Sequence, residues 1–435
     1  MKLTIHRGTH EIGGTCIEVS SKDSRIILDI GIPIVAQDGS KFDFKKYEKL
    51  TGPELVSEKI LPNVSGLYSW DTKNKPPDGL LISHSHGDHY GLVKYVRKDL
   101  RCYLSEGTKR IIELGHLFFK TASDIETYSI LKPGETTIIG SFSVTPYLMD
   151  HSAFDALSFL IESNGKRIFY SGDFRAHGRK ERAFEYLLKK GPENIDALLM
   201  EGSLVGSGYD TDQKTESELE TEIVAEIEQS KGIVFCMPSA HNIDRLVTLY
   251  LAAFNTKRTF IVDIYTAHVL DALKDLGKIP HAGGYPNIRV FYPQRLTKKI
   301  ADENDKSLLY KFKPHQIKKA EISEAPSKYI MLIRNTMISD LRGISNINSG
   351  TVIYSIWKGY LSDGTMDRLL KFIDEKHLKL VTIHTSGHAS LSTLQKMVAK
   401  LKPKKVIPIH TFNPDKYKNL FPNVLEISDG VEFNI

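Results

Sequence analysis

The sequence feature that most restricts the fold is a run of metal-binding side chains in the segment 84–89, which reads His-Ser-His-Gly-Asp-His and directly follows the apolar segment 80–83. Imidazole nitrogens and carboxylate oxygens are usual protein ligands of Zn²⁺. Four such groups packed together without a cation would carry desolvation costs that nothing offsets. In an extended loop His84 and His86 point to the same side, whereas Asp88 and His89 can turn towards a second ion as a helix begins. The segment therefore predicts a metal-binding loop at the end of a buried strand.

This loop cannot complete the coordination of an ion by itself, so further ligands must come from other parts of the chain. His151, Asp173 and His410 each end an apolar, strand-like segment. Any one of them alone is typical of an ordinary capping or turn residue. Their shared position after strands, in a chain that carries the 84–89 loop, favours metal ligation instead.

The composition is that of an ordinary globular protein, with 41% hydrophobic and 26% charged residues in a chain of 435. No apolar run approaches the roughly 20 residues of a membrane helix, so no membrane association is expected. The three cysteines are scattered, which predicts a reducing, cytoplasmic location rather than a disulfide framework. The net charge of +5 permits a polyanionic partner without demonstrating one.

The chain length predicts more than one domain. Strand-like segments dominate the first 200 residues, and the following stretch alternates strands with helices, as in a Rossmann-like unit. A lysine-rich segment at 298–319 is expected to form solvated surface helices. The simplest division is a core at 1–203, an inserted α/β module at 204–350, and the completion of the core at 351–435.

The His-x-His-x-Asp-His loop, followed in order by His151 and Asp173, resembles the metallo-β-lactamase superfamily. That resemblance implies an α/β fold built as an αββα sandwich. It assigns His84, His86 and His151 to a first zinc ion, and Asp88, His89 and His410 to a second. Asp173 would bridge the two ions. Asp29 matches the first motif of the superfamily, where a carboxylate supports the metal loop.

Later motifs resemble the β-CASP nucleases of this superfamily. Glu201 stands at a strand end like their motif A carboxylate, His388 in Ser-Gly-His matches motif B, and His410 matches motif C. The stretch between Glu201 and His388 resembles their inserted Rossmann-like β-CASP cap domain. The resemblance implies Asp88, Glu201 and His388 as catalytic residues, with His388 as the general acid held by Glu201. The Gly202-Ser203 pair departs from the usual motif A, which carries a small residue and threonine.

A substrate phosphate site is predicted at Ser386, Gly387 and Ser390, because backbone N–H groups and hydroxyls at the start of a helix bind anions. Ser390 is equally well explained as a plain helix cap.

The function expected from these features is a zinc-dependent phosphodiesterase, a ribonuclease that hydrolyses RNA with a bridging hydroxide between two Zn²⁺ ions. Mn²⁺ stays open as the metal, and so does the choice between exonuclease and endonuclease. The partner is RNA or another single-stranded nucleic acid, and a homo-oligomer is compatible with the resemblance. The alternatives are a DNA nuclease of the same fold, a dinuclear zinc hydrolase of small esters or thioesters, and a relative that has lost catalysis.

Overall fold

The computed structural model describes residues 1–36, 39–120, 125–303 and 306–435. The chain divides into two compact units, of which the first holds Met1–Gln213 with Gly387–Ile435 and the second holds Lys214–Ser386. In chain order, the strands are β1 (Lys2–Arg7), β2 (Cys16–Ser21), β3 (Ser24–Leu28), β4 (Gly79–Leu81), β5 (Cys102–Leu104), β6 (Tyr128–Ile130), β7 (Thr137–Ile139), β8 (Phe142–Met149), β9 (Ala156–Ser163), β10 (Lys166–Tyr170), β11 (Ala197–Glu201), β12 (Val234–Met237), β13 (Thr259–Asp263), β14 (Ile288–Phe291), β15 (Gln316–Ile317), β16 (Tyr329–Leu332), β17 (Thr351–Tyr354), β18 (Lys379–Thr382), β19 (Val406–Ile409) and β20 (Glu432–Asn434).

The α-helices surround these strands and are named in the same way. They are α1 (Gly52–Ser57), α2 (Gly87–Tyr90), α3 (Glu106–Phe119), α4 (Glu181–Lys190), α5 (Glu216–Gln229), α6 (Ile243–Asn255), α7 (Ile264–Ala272), α8 (Gln294–Asp302), α9 (Lys306–Tyr310), α10 (Lys319–Glu324), α11 (Ile338–Leu341), α12 (Gly359–Ser362), α13 (Asp367–Glu375), α14 (Leu391–Leu401) and α15 (Tyr417–Leu420). Among the described residues, no helix combines the length and apolar composition needed to cross a lipid bilayer.

Two β-sheets form the centre of the first unit. The first sheet has the strand order β20-β1-β2-β3-β4-β5-β6, and the second has the order β19-β11-β10-β9-β8-β7. Their facing sides share one cluster of buried apolar side chains, to which Leu28 and Leu81 contribute from the first sheet and Phe159 and Leu199 from the second. Because successive strand residues point to opposite faces, the remaining apolar positions of each strand are left for an outer layer.

Helices cover both outer faces of this pair of sheets. Ile112 of α3 packs with Leu80 and Leu104 on the outside of the first sheet. On the outside of the second sheet, Phe184 of α4 and Leu394 of α14 pack into a further buried cluster. The first unit is therefore the four-layer αββα sandwich that the sequence predicted.

Strand direction places several predicted site residues at common sheet edges. In the first sheet β3 and β4 run parallel, so Asp29 and His84, which follow them, emerge at the same edge. In the second sheet β10, β11 and β19 run parallel. Strand β8 shares their direction, because β8 and β10 both pair antiparallel with β9. His151, Asp173 and His410 consequently emerge together at one edge of the second sheet.

The second unit contains a seven-stranded parallel sheet in the order β15-β14-β13-β16-β12-β17-β18. Helices connect its parallel strands, as the alternating pattern predicted. This arrangement is the Rossmann-like unit expected for the insertion.

The boundaries of this unit differ from the expected 204–350. Strands β17 and β18, which were assigned to the core, pair with β12 and with each other in the sheet of the second unit. Residues 204–213, in turn, belong to the first unit. The pattern of apolar residues is the same in a core strand and a cap strand, so only the pairing partner distinguishes them. The core resumes at Gly387, directly before His388.

Candidate metal centre

The metal-binding loop leaves the first sheet at the end of β4. His84 follows the buried residues Ile82 and Ser83, and the short helix α2 begins at Gly87, with His86 at its N-cap. After this change from strand to helix, Asp88 and His89 join a second group of side chains, while the rings of His84 and His89 stay adjacent with centroids 4.1 Å apart. His84 and His89 are buried, whereas the side chain of Asp88 retains 16% exposure.

The seven predicted ligands come together in two adjacent groups. One potential ligand atom each from His84, His86 and His151 lies within 4.8 Å of the others, and the same holds for the set Asp88, His89, Asp173 and His410. Asp173 lies near both groups. Its Oδ2 is 3.1 Å from Nε2 of His89, 3.6 Å from Nε2 of His410 and 3.8 Å from Nε2 of His84.

Three buried atoms in these groups show that the site suits a cation. Among the described residues, Nε2 of His84, Nε2 of His410 and Oδ1 of Asp173 are buried without a hydrogen-bond partner. Buried polar atoms are almost always partnered, because desolvating them without compensation is costly. A divalent cation would satisfy these atoms, and imidazole with carboxylate is a donor set that Zn²⁺ accepts. The residues therefore fit the metal group that the sequence predicted.

The protonation states of His84 and His410 also suit metal binding. Burial, together with the neighbouring imidazoles of His89, His151 and His86, holds the pKa of His84 well below its ordinary value. Burial likewise lowers the pKa of His410, to about 3, although Asp173 opposes the shift. A neutral imidazole keeps the lone pair that a metal ion requires.

Asp29 connects the metal loop to the interior of the sandwich. Its Oδ1 accepts a hydrogen bond from the backbone N–H of Ser83 at 2.7 Å. Its Oδ2 lies 2.8 Å from Nδ1 of His89 and accepts hydrogen bonds from the Ser83 hydroxyl at 2.7 Å and the Tyr170 hydroxyl at 2.5 Å. Binding Nδ1 of His89 in this way directs Nε2 towards Asp173. Asp29 thus occupies the supporting position that the resemblance implied.

Tyr170 is a residue that the sequence analysis missed. It ends β10, three residues before Asp173, and its side chain is fully buried. A polar aromatic residue at the end of an otherwise apolar strand was the available signal, since a buried tyrosine hydroxyl needs a partner. The partner, Asp29, is 141 residues away in sequence and could not be identified from the pattern.

Two other histidines are also oriented through their second nitrogen. Nδ1 of His151 lies 2.6 Å from the carbonyl oxygen of Gly387. Nδ1 of His410 lies 3.2 Å from the hydroxyl of Thr15. Such contacts set the ring orientation and leave Nε2 directed at the site. Sequence analysis identified neither Thr15 nor the Gly387 carbonyl as a supporting group.

Glu201 and His388 form a third group beside the metal ligands. Glu201 ends β11 and is fully buried, so it is not an exposed strand-end carboxylate. Its Oε1 lies 3.4 Å from Nδ1 of His388 and accepts from the backbone N–H of Phe174 and Ala389, both at 3.3 Å. The His388 side chain is 24% exposed, and its Nδ1 is 3.8 Å from Oδ2 of Asp173.

The carboxylates dominate the charge state of His388. Burial alone would lower its pKa, but the neighbouring Glu201, Asp173 and Asp88 outweigh burial and raise the pKa to about 9. A protonated imidazole next to the metal ligands has a proton to donate.

The three residues that were predicted to bind a substrate phosphate lie in different surroundings. The hydroxyl of Ser390 accepts from the backbone N–H of Thr393 at 3.4 Å and donates to Oδ1 of Asp212 at 3.0 Å, so the structure favours the helix-cap interpretation. Gly387 lies against His151 and Ser152, since a Cβ atom there would be 2.5 Å from Oγ of Ser152 and 3.5 Å from Cε1 of His151. Ser386 is the last residue of the second unit.

Comparison with protein family models supports the metal-binding character that the site geometry indicates. A model described as "Beta-lactamase superfamily domain" matches residues 66–218, which include the 84–89 loop, His151, Asp173 and Glu201. A second model, described as "Zn-dependent metallo-hydrolase RNA specificity domain", matches residues 375–414, which include His388 and His410. These two matches, together with the site geometry, support placing the chain in the β-CASP group of the metallo-β-lactamase superfamily.

Similar proteins include two named Ribonuclease J and one named transcription termination factor FttA. Ribonuclease J of Sinorhizobium meliloti is 22% identical, and the match covers 82% of this chain and 62% of the length of that protein. Ribonuclease J of Mycoplasma genitalium is 24% identical, covering 94% of this chain and 67% of its own length. Transcription termination factor FttA of Methanothermobacter thermautotrophicus is 22% identical, and the match covers 96% of this chain and 68% of the length of that protein.

A solved structure shares the fold of this chain. The crystal structure of a protein of unknown function from Enterococcus faecalis V583 matches with a TM-score of 0.78 and 22% identity, covering 99% of both chains.

Proposed function

We propose that this protein is a zinc-dependent phosphodiesterase that hydrolyses RNA. The observation that carries the proposal is the position of the buried Glu201–His388 pair beside seven converging metal-ligand side chains. The family model described as an RNA specificity domain and the relatives named Ribonuclease J support RNA as the substrate.

We propose two zinc ions, with Mn²⁺ as an alternative. The first would be held by His84, His86 and His151, the second by Asp88, His89 and His410, and Asp173 would serve both. The two groups of ligand atoms support this division. When bound, two such cations supply Lewis acidity that activates water and offsets the negative charge developing on a phosphodiester.

His388 is the proposed proton donor. Nδ1 of its ring faces Glu201, and the partial exposure of the side chain leaves the ring accessible to a substrate. In the proposed reaction the oxygen of a water molecule forms a bond to phosphorus and gives up a proton to solvent, the bond between phosphorus and the departing oxygen breaks, and His388 transfers a proton to that oxygen. Glu201 fixes the ring and stabilises its positive charge.

The phosphate of the substrate would be held near Gly387. The absence of a side chain at Gly387 permits the close approach of its backbone to His151 and Ser152. Because the hydroxyl of Ser390 already bonds to Asp212, we propose that the backbone N–H groups of this segment contribute more than that hydroxyl.

The cellular compartment is proposed to be the cytoplasm. All three cysteines are buried and free, which agrees with a reducing environment.

The test compares hydrolysis of an RNA labelled at its 5′ end with hydrolysis of DNA of the same sequence and of a chromogenic thioester. RNA should be cleaved, and the product lengths will separate cutting from an end from internal cutting. His388→Ala should lower turnover by about 10²-fold or more with the zinc content unchanged. His377→Asn, at an exposed histidine of the second unit, is the matched control and should keep full activity. The proposal would be contradicted if the protein hydrolysed the thioester and left the RNA uncleaved. Full RNA turnover by His388→Ala would also contradict it.

A further inference from the structure

The second unit contains a cavity that the metal centre does not use. It has a volume of about 630 Å³ and lies among α8, α9, β15, α10 and α11. Its lining comes from the lysine-rich segment and its neighbours, and includes Tyr292, Thr297, Lys298, Lys306, Tyr310 and Lys313. The segment 298–319 therefore does more than form a solvated surface. The volume falls within the range of about 300–1,000 Å³ that is typical of small-ligand sites.

The charges of the cavity favour an anionic ligand. Within the described ranges, Lys298, Lys306 and Lys313 form no ion pair with any carboxylate. A fourth lining lysine, Lys319, is paired with Asp340 at 2.9 Å, so these two charges compensate each other. Among the described residues, no carboxylate neutralises the three remaining ammonium groups, and they would gain most from the several oxygens of a phosphate.

Aromatic rings give the cavity a second chemical character. The hydroxyl of Tyr292 donates a hydrogen bond to the carbonyl oxygen of Leu309 at 2.7 Å, which fixes this ring in the wall. The Tyr310 side chain is 66% exposed, so its ring is accessible to a ligand in the cavity. Flat rings beside cationic groups suit a ligand that joins an aromatic base to phosphate.

Thr297 adds an unsatisfied polar atom to this wall. Its Oγ1 is buried and has no hydrogen-bond partner among the described residues. A hydroxyl in this state can donate to or accept from a ligand atom at no further desolvation cost. Three unpaired cations, two aromatic rings and this hydroxyl thus line the same cavity.

We propose that this cavity binds a nucleoside phosphate, with the base against the tyrosine rings and the phosphate among Lys298, Lys306 and Lys313. The source is a free mononucleotide or a nucleotide within an RNA chain, since both present the same chemistry. Binding of the free nucleotide is independent of the proposed nuclease activity, whereas binding of the RNA nucleotide rests on it.

Calorimetric titration tests this proposal with four probes: uridine 5′-monophosphate, uridine, inorganic phosphate, and a 5′-phosphorylated oligouridylate of six nucleotides. All titrations use the His388→Ala background, so that the oligonucleotide is not consumed. The variant K298Q/K306Q/K313Q removes the three unpaired charges. The matched control K231Q/K278Q/K371Q removes three exposed lysines of the same unit that do not line the cavity.

The mononucleotide should bind saturably, and the cavity variant should weaken its binding by about tenfold or more, because three cationic contacts are lost. The control should change the affinity by less than about twofold. Uridine and inorganic phosphate should each bind at least about tenfold more weakly than the nucleotide. Oligouridylate binding that responds to the cavity variant, in the absence of mononucleotide binding, would identify RNA as the source.

Three results would overturn the proposal. The first is that neither the mononucleotide nor the oligouridylate binds. The second is that the cavity and control variants lose equal affinity, which would mark a diffuse charge effect. The third is that uridine or phosphate alone binds as tightly as the nucleotide. Binding at the metal centre is one form of the second result, because it would leave the affinities of the cavity and control variants equally unchanged.

Discussion

Asp29→Asn tests most sharply whether Asp29 stabilises the metal loop and its ligands without binding the metal itself. Asp29 has a φ of 59°, a left-handed conformation that asparagine tolerates as well as aspartate, so the backbone should be preserved. Oδ2 of Asp29 meets the Ser83 and Tyr170 hydroxyls and Nδ1 of His89. The amide nitrogen of asparagine cannot accept hydrogen bonds from these groups.

The magnitude follows from the number of bonds lost. A hydrogen bond to a charged group contributes about 1.5–3 kcal/mol, and the loss of about two of them should lower the free energy of unfolding by about 3–6 kcal/mol. Without its anchor, the His89 ring no longer has a fixed direction, and the zinc affinity should fall by about 10–100-fold. Tyr170→Phe removes one bond only, so its free energy of unfolding should fall by about 1.5–3 kcal/mol, with a smaller loss of zinc affinity.

Two measurements on the same proteins separate these effects. Urea unfolding in the presence of a chelator gives the stability without metal, and competition with a chromogenic zinc chelator gives the affinity. Circular dichroism confirms that each variant is folded. A folded Asp29→Asn protein that binds zinc as tightly as the unmodified chain would refute the supporting role of this carboxylate.

Two further predictions concern other carboxylates. Glu201→Gln should lower RNA turnover by about 10²-fold with the zinc content unchanged, because His388 loses the charge that orients it; unchanged turnover would separate the pair from catalysis. Burial would raise the pKa of Glu18, but its contacts with His6 and Arg25 outweigh burial and lower the pKa to about 2. The resulting stability, up to about 3 kcal/mol, is complete above the unfolded pKa near 4.5 and is lost as pH falls towards 2. The difference in free energy of unfolding between the unmodified protein and Glu18→Gln should therefore shrink between pH 6 and pH 3.5 in urea titrations, and a constant difference would contradict this origin.

The convergence of the proposed metal ligands could be predicted because their chemistry is concentrated in the sequence. The segment 84–89 carries four donors, and the remaining ligands follow strands whose parallel direction brings them to one edge. The burial of Glu201 could not be predicted in this way, because a carboxylate at a strand end is expected to be exposed. The three backbone N–H groups that donate to Glu201 are seen only in the structure.

Features that depend on tertiary pairing escaped the sequence analysis. The sequence of the segment 351–386 predicts strand, helix and strand whether the segment belongs to the core or to the cap. Only the pairing of β17 with β12 and β18 assigns it to the cap. The support of Asp29 by Tyr170 depends on two strands that lie in different sheets. The lysines of 298–319 carry no pattern that distinguishes a solvated helix from the wall of a cavity.

The most direct test of the account is the metal content of the purified protein, measured by elemental mass spectrometry beside that of Asp173→Asn. Close to two zinc or manganese ions per chain are expected in the unmodified protein, and clearly fewer in the variant, because Asp173 contacts both groups of ligands. A preparation that cleaves RNA and contains no divalent metal would contradict the central claim.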